Sequence, residues 1–89
     1  MRILGLDPGL NITGYAFFES ESKEIINLGV IKTEKSSANS KRLEEIYNDL
    51  SELLDKFKPD ICAIEQIFFS NNVKTAISVS QARGVMLLA

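Results

Sequence analysis

Apolar residues recur along this chain with two different periods, and the switches between those periods mark out its elements. Ile3-Leu4-Gly5-Leu6 is a short apolar run that meets a turn signal at Asp7-Pro8-Gly9, so Arg2 to Asp7 reads as a buried central strand. Gly14 to Glu19 and Glu24 to Thr33 read as two further strands, the latter interrupted by Gly29, with Ser20 to Ser22 as the turn between them. Strands joined by such short turns form an antiparallel meander. Glu34 to Asn39 is polar and loop-like, and Ser40 is a candidate N-cap. Leu43, Ile46, Tyr47, Leu50, Leu53, Leu54 and Phe57 then recur at intervals of three and four, the signature of one apolar helix face that Pro59 brings to an end. Asp60 to Glu65 is a short apolar run expected to be a buried strand. Reached through a crossover helix, it should lie parallel to the first. Phe68 to Val73 reads as a loop and Thr75 to Ala89 as a helix. The order β-β-β-α-β-α makes the fold class α/β, with a mixed sheet.

The closing run Val85-Met86-Leu87-Leu88-Ala89 carries no Gly, Asn or Pro stop signal. An apolar helix without a cover is rare at the end of a folded unit. The expectation is therefore a domain cut at its C-terminal side, with part of its functional site beyond residue 89.

Composition narrows the classes. Of the 89 residues 45% are apolar, enough for a globular core and too many for a disordered chain. No run reaches the roughly 18 apolar residues of a membrane span, and Met1 leads straight into a strand without a leader-like segment. Cys62 is the only cysteine and lies in an apolar strand, so it reads as a buried structural thiol in a reducing, cytoplasmic setting. The net charge of −2, with no basic tail, argues against a strong nucleic-acid surface within these residues. The absence of histidine excludes a Ser-His or Cys-His catalytic pair built from this chain.

Two acids then stand out. Asp7 and Glu65 each close an apolar strand. On parallel strands both would lie at carboxyl ends, the usual ligand edge of an α/β sheet. Neighbouring strands are about 4.8 Å apart, close enough for two carboxylates to share a hard cation such as Mg²⁺. Pro8 holds the residue before it extended, and Gly9 lets the backbone turn close to whatever binds there. Each acid alone also fits a plain Asx turn or a solvated strand end.

Leu4-Gly5-Leu6-Asp7-Pro8-Gly9 followed by Thr13-Gly14-Tyr15 resembles the opening of the RuvC family of Holliday-junction resolvases. Arg42-Leu43, Pro59-Asp60, Ala63-Ile64-Glu65-Gln66, Phe68, Asn72 and Gln81-Ala82-Arg83-Gly84 continue the likeness collinearly over the whole chain. The resemblance implies a ribonuclease-H-like fold, of which residues 1–89 would be the N-terminal part of a single nuclease domain. It also implies a homodimer that uses Mg²⁺, with Mn²⁺ as a substitute, to nick a four-way DNA junction symmetrically in recombination and repair, alongside the RuvA and RuvB branch-migration proteins. Asp7 and Glu65 would be metal-binding catalytic acids, and the remaining acids would lie on a later helix that this chain lacks. Phe68 would stack on an unpaired base, with a place in the core as the alternative; Phe69 fits the core better. Asn72, Gln81 and Arg83 would contact DNA, Gln81 and Arg83 equally serving to position the active-site loop. Lys32, Lys35, Lys41 and Arg42 are the cations available for DNA, a solvated surface being the simpler account of them. Gly84 inside a helix suggests close approach of a neighbouring element, in keeping with the dimer contact that the resemblance implies for this helix.

Two rival readings remain. An ATP-binding domain of the actin and sugar-kinase type also opens with a strand, an Asp-x-Gly turn and a hairpin, but it does not call for a second acid within Ile64-Glu65-Gln66. A ribonuclease-H-like binding module without catalysis would differ in the acids of the missing helix.

Overall fold

A computed structural model describes residues 1–65 and 73–89. The strands are β1 (Arg2–Asp7), β2 (Ile12–Glu19), β3 (Ile25–Lys32) and β4 (Ile61–Ile64), and the helices are α1 (Asn39–Phe57) and α2 (Val73–Leu88). The sheet order is β3-β2-β1-β4. β1, β2 and β3 form the expected antiparallel meander, with an irregularity in the β2–β3 register at Phe17/Phe18. β4 pairs parallel to β1, Ile3 facing Ile61 and Leu6 facing Ile64.

The pleat sorts the strands into two faces. Leu4 lies opposite Phe17, and Thr13 opposite Ile31; these four are buried. α1 covers this face through Ile46 and Leu50, and α2 joins the same core through Ala82 and Met86. Truncating a buried Leu such as Leu50 to Ala costs about 2–5 kcal/mol. The opposite face is open. Ile12, Leu28, Val30 and Ile61 are exposed large apolar residues there.

Several sequence expectations need correction. α1 starts at Asn39, and its N-cap is Ala38 rather than Ser40, with no side-chain oxygen on the helix end. The extended backbone at Ala38 (ψ 147°) sets that boundary ahead of Ser40. The helix closes at Lys58, whose left-handed backbone (φ 47°) lets its N–H reach the Leu54 carbonyl just before Pro59. Tyr47 is on the rim of the apolar stripe and is exposed. Arg42, by contrast, is 6% exposed. It precedes Ile46 by one helical turn, so the stripe carries it inward, which corrects its reading as a solvated cation. β4 is not a buried strand, and Cys62 on it is exposed. Its only partner among the described residues is β1, so among them its outer edge has no cover. Gly84 meets no neighbour: a Cβ added there has nothing within 4 Å among the described residues. No helix among the described residues is long and apolar enough to cross a membrane.

Candidate functional site at the ends of two parallel strands

β1 delivers Asp7 and β4 delivers Glu65 to the same edge of the sheet. The ladder runs one step past the last strand pair, because the Glu65 N–H donates to the Leu6 carbonyl at 3.1 Å. Asp7 therefore meets Glu65 on the open face, in register with Gly5 and Ala63 one pleat earlier. The Asp7 carboxyl beside it, first through side-chain hydrogen bonding and then through its charge, pushes the Glu65 carboxyl above the usual carboxylate range. An upward shift on an exposed carboxyl reports a crowded pair, not an isolated strand end.

The ground around the pair is low. Gly5, Gly14, Ala16 and Ala63 share with Asp7 and Glu65 the lining of an open depression of about 600 Å³. Gly14 lies opposite Asp7 in the β1–β2 register, and a Cβ there would only touch the Asp7 Cβ at 3.6 Å.

The turn after Asp7 is locked from within. The fully buried Thr13 hydroxyl donates to the Gly9 carbonyl at 2.7 Å and accepts from the Gly9 N–H at 3.4 Å. A Cβ on Gly9 would lie 2.2 Å from the Ile12 carbonyl oxygen. What approaches Gly9 closely is thus the chain itself, and the glycine serves the folding of the turn. A second brace comes from α1. The Arg42 guanidinium donates to the Thr33 hydroxyl at 2.9 Å and to the Asn11 side-chain carbonyl, and the Thr33 hydroxyl donates to the Leu10 carbonyl at 2.5 Å. Reasoning from sequence missed this support; the spacing of Arg42 from Ile46 and Leu50 was the signal that could have found it.

On the β4 side, the Arg83 Nε–H donates to the Glu65 carbonyl at 3.3 Å. Arg83 thereby holds the backbone of Glu65, whereas Gln81 is exposed on α2 with no partner among the described residues. Phe68, Phe69 and Asn72 lie outside the described residues. Among the described residues no group of three or more acidic, Cys or His side chains converges as a metal cage. The pair consists of hard oxygen donors in excess negative charge, which suits a divalent cation of the Mg²⁺ type with waters completing its shell.

Comparison with known proteins agrees with this arrangement. The family model described as "Crossover junction endodeoxyribonuclease RuvC" matches residues 3–89. The curated protein of that name from Thermosipho melanesiensis is 50% identical over 91 aligned positions, covering 100% of this chain and 58% of the relative. The one from Finegoldia magna is 47% identical, covering 100% of this chain and 56% of the relative. The chain thus spans a little over half the length of these relatives. A solved structure, "T. thermophilus RuvC in complex with Holliday junction substrate", superposes with a TM-score of 0.91 at 26% identity, over 99% of this chain and 58% of that one. The Aquifex aeolicus PPX-GPPA enzyme shares the fold more distantly, at a TM-score of 0.51 and 22% identity. The mixed sheet is ribonuclease-H-like, and the chain belongs to the RuvC family.

Proposed function

We propose that this chain forms the N-terminal part of a structure-specific endonuclease that resolves four-way DNA junctions, and that Asp7 and Glu65 are two of its metal-binding catalytic acids. One observation carries the assignment of the site: two carboxylic acids at the ends of adjacent parallel strands stand side by side on one open, low-walled sheet face. Such a pair is held together against its own repulsion, and a divalent cation relieves that repulsion. Mg²⁺ fits the oxygen donors, and Mn²⁺ can replace it. Bound there, the ion would lower the pKa of a water and neutralise charge on a phosphodiester.

The chain's own part in the chemistry is orientation. Pro8 and the Thr13–Gly9 bonds fix the backbone leaving Asp7, while Arg83 and the ladder bond to Leu6 fix Glu65. The small residues Gly5, Gly14, Ala16 and Ala63 leave room for a sugar–phosphate strand to lie beside the acids. Family membership favours this reading over the ATP-binding one. Further acids, a second subunit and the RuvA and RuvB partners belong to the same proposal by resemblance, as does a cytoplasmic location.

The test uses the full-length protein with a labelled four-way junction. Asp7→Asn keeps the shape of the side chain and removes its charge. Cleavage should fall by at least about a hundredfold, the scale on which catalysis depends on preorganised charge, while junction binding persists because it rests on cationic contacts to phosphates. Cleavage at the parent rate would remove Asp7 from the site, and the inactive binding-module reading would gain if the parent itself bound but did not cut.

A further inference from the structure

Beyond the loop that follows Asp7, and separate from the acidic pair, is a second cleft. It opens where the loop after β1 meets the N-terminal ends of both helices, with a volume of about 620 Å³ and Asn11, Asn39, Arg42, Lys74, Thr75 and Ser78 as its polar lining. No carboxylate lines it among the described residues. This local balance is the reverse of the chain's net charge of −2.

We propose that this cleft binds a backbone phosphate of the DNA strand that passes over Asp7 and Glu65. The inference rests on the DNA reading above and adds a binding site to it. Its main support is Arg42. The side chain is 6% exposed, and its described partners, the Thr33 hydroxyl and the Asn11 amide carbonyl, are both neutral. No ion pair joins Arg42 to an acid among the described residues. A buried cation is normally paired, because an uncompensated charge is costly to take out of water. Here the missing negative charge has an open cleft to enter by.

The helix ends point the same way. A helix N-terminus favours anions and usually carries acids in its first turn. α1 has none there; it begins Asn-Ser-Lys-Arg, and its N-cap Ala38 offers no side-chain oxygen to the free N–H groups. α2 also has no acid in its first turn, and it brings the exposed Lys74 to the cleft mouth. Two cations thus stand at helix ends that would otherwise repel them, an arrangement that a bound phosphate stabilises. Arg42 suits the role because its planar fork matches phosphate oxygens. The location suits it as well. Asn11 is four residues from Asp7, at most about 14 Å of extended chain, so the cleft is within reach of a strand that crosses the acids.

The experiment measures binding of the full-length protein to a labelled four-way junction and to plain duplex over a range of salt, without divalent cation. Lys74 is exposed, so Lys74→Gln should fold normally. It should weaken binding to both DNAs about 3–10-fold at low salt and reduce the slope of log K against log salt by about 0.9, the change expected when one phosphate is no longer neutralised. Affinity and slope unchanged on both DNAs would overturn the proposal. Because Arg42→Lys could disturb the fold, the second arm uses the parent protein and inorganic phosphate. In an ¹⁵N spectrum the Arg42 Nε–H and the amides of residues 39–42 should shift with phosphate. Shifts confined to other regions would also overturn it. Equal affinity for junction and duplex would count against the junction reading alone, since the salt slope is read on either DNA.

Discussion

Gly9→Ala is the sharpest structural perturbation of the turn that carries Asp7. The new Cβ would sit 2.2 Å from the Ile12 carbonyl oxygen, and real Cβ atoms essentially never come within 3.0 Å of a neighbour. The loop must therefore open by about 0.8 Å, and the obstacle is backbone, which cannot rotate aside as a side chain does. No glycine among the described residues has a positive φ, so the cost is steric and not conformational. Overpacking of this kind costs about 1–3 kcal/mol. Opening the loop also strains the bonds between Thr13 and Gly9, worth about 0.5–1.5 kcal/mol each. The sum is about 2–6 kcal/mol. At about 2–4 °C per kcal/mol for a domain of some 150 residues, the full-length protein should lose roughly 4–24 °C in Tm. Asp7 is two residues away, and a misplacement of about 1 Å at a reacting centre can cost a hundredfold in rate. Thermal unfolding and junction cleavage should therefore both respond. A variant that melts within a degree of the parent and cuts at the parent rate would refute the steric argument and the claim that this turn positions Asp7.

The other expectations are briefer. Gly84→Ala, where nothing lies within 4 Å of the added Cβ among the described residues, should stabilise α2 by about 0.5–1 kcal/mol, seen as a higher Tm; a lower Tm would reveal a neighbour pressed against that helix in the assembled protein. Without divalent cation, stability should fall as pH rises through the carboxylate range. The folded-state pKa of Glu65 lies above its unfolded value, so the folded state binds the extra proton in that window and loses the advantage above it. Chemical denaturation across that range should show the decline, and saturating Mg²⁺ should flatten it. Phe68→Ala should slow cleavage of a four-way junction less than Asp7→Asn does, since stacking on a base is worth about 1–3 kcal/mol; a normal rate would return the ring to the core.

Much of this architecture was legible in the sequence because period and punctuation agreed. Asp7-Pro8-Gly9 ended β1 where the pattern placed the end, and Pro59 bounded α1 within a residue or so. The parallel β1–β4 pairing followed from the intervening helix, and with it the meeting of Asp7 and Glu65. Burial was harder to read. Cys62 and its neighbours look like a core strand by composition, yet their exposure depends on what packs at the outer edge of β4, which the local sequence does not encode. Arg42 shows the converse: its charge suggested solvent, while its place one turn before Ile46 put it inside. The α1 boundary was missed because an extended backbone at Ala38 can begin a helix without any side-chain cap.

The central claim is that Asp7 and Glu65 act as one cation-binding pair. It is tested most directly by following the side-chain carboxyl ¹³C resonances of both residues against pH in the full-length protein, with and without Mg²⁺. In metal-free protein Glu65 should titrate above the ordinary carboxylate range, because Asp7 shares its proton and repels its charge. Saturating Mg²⁺ should drive that midpoint below the ordinary range, and Asp7→Asn should abolish both displacements. A Glu65 midpoint at the ordinary value without metal, unmoved when Mg²⁺ is added, would contradict the account.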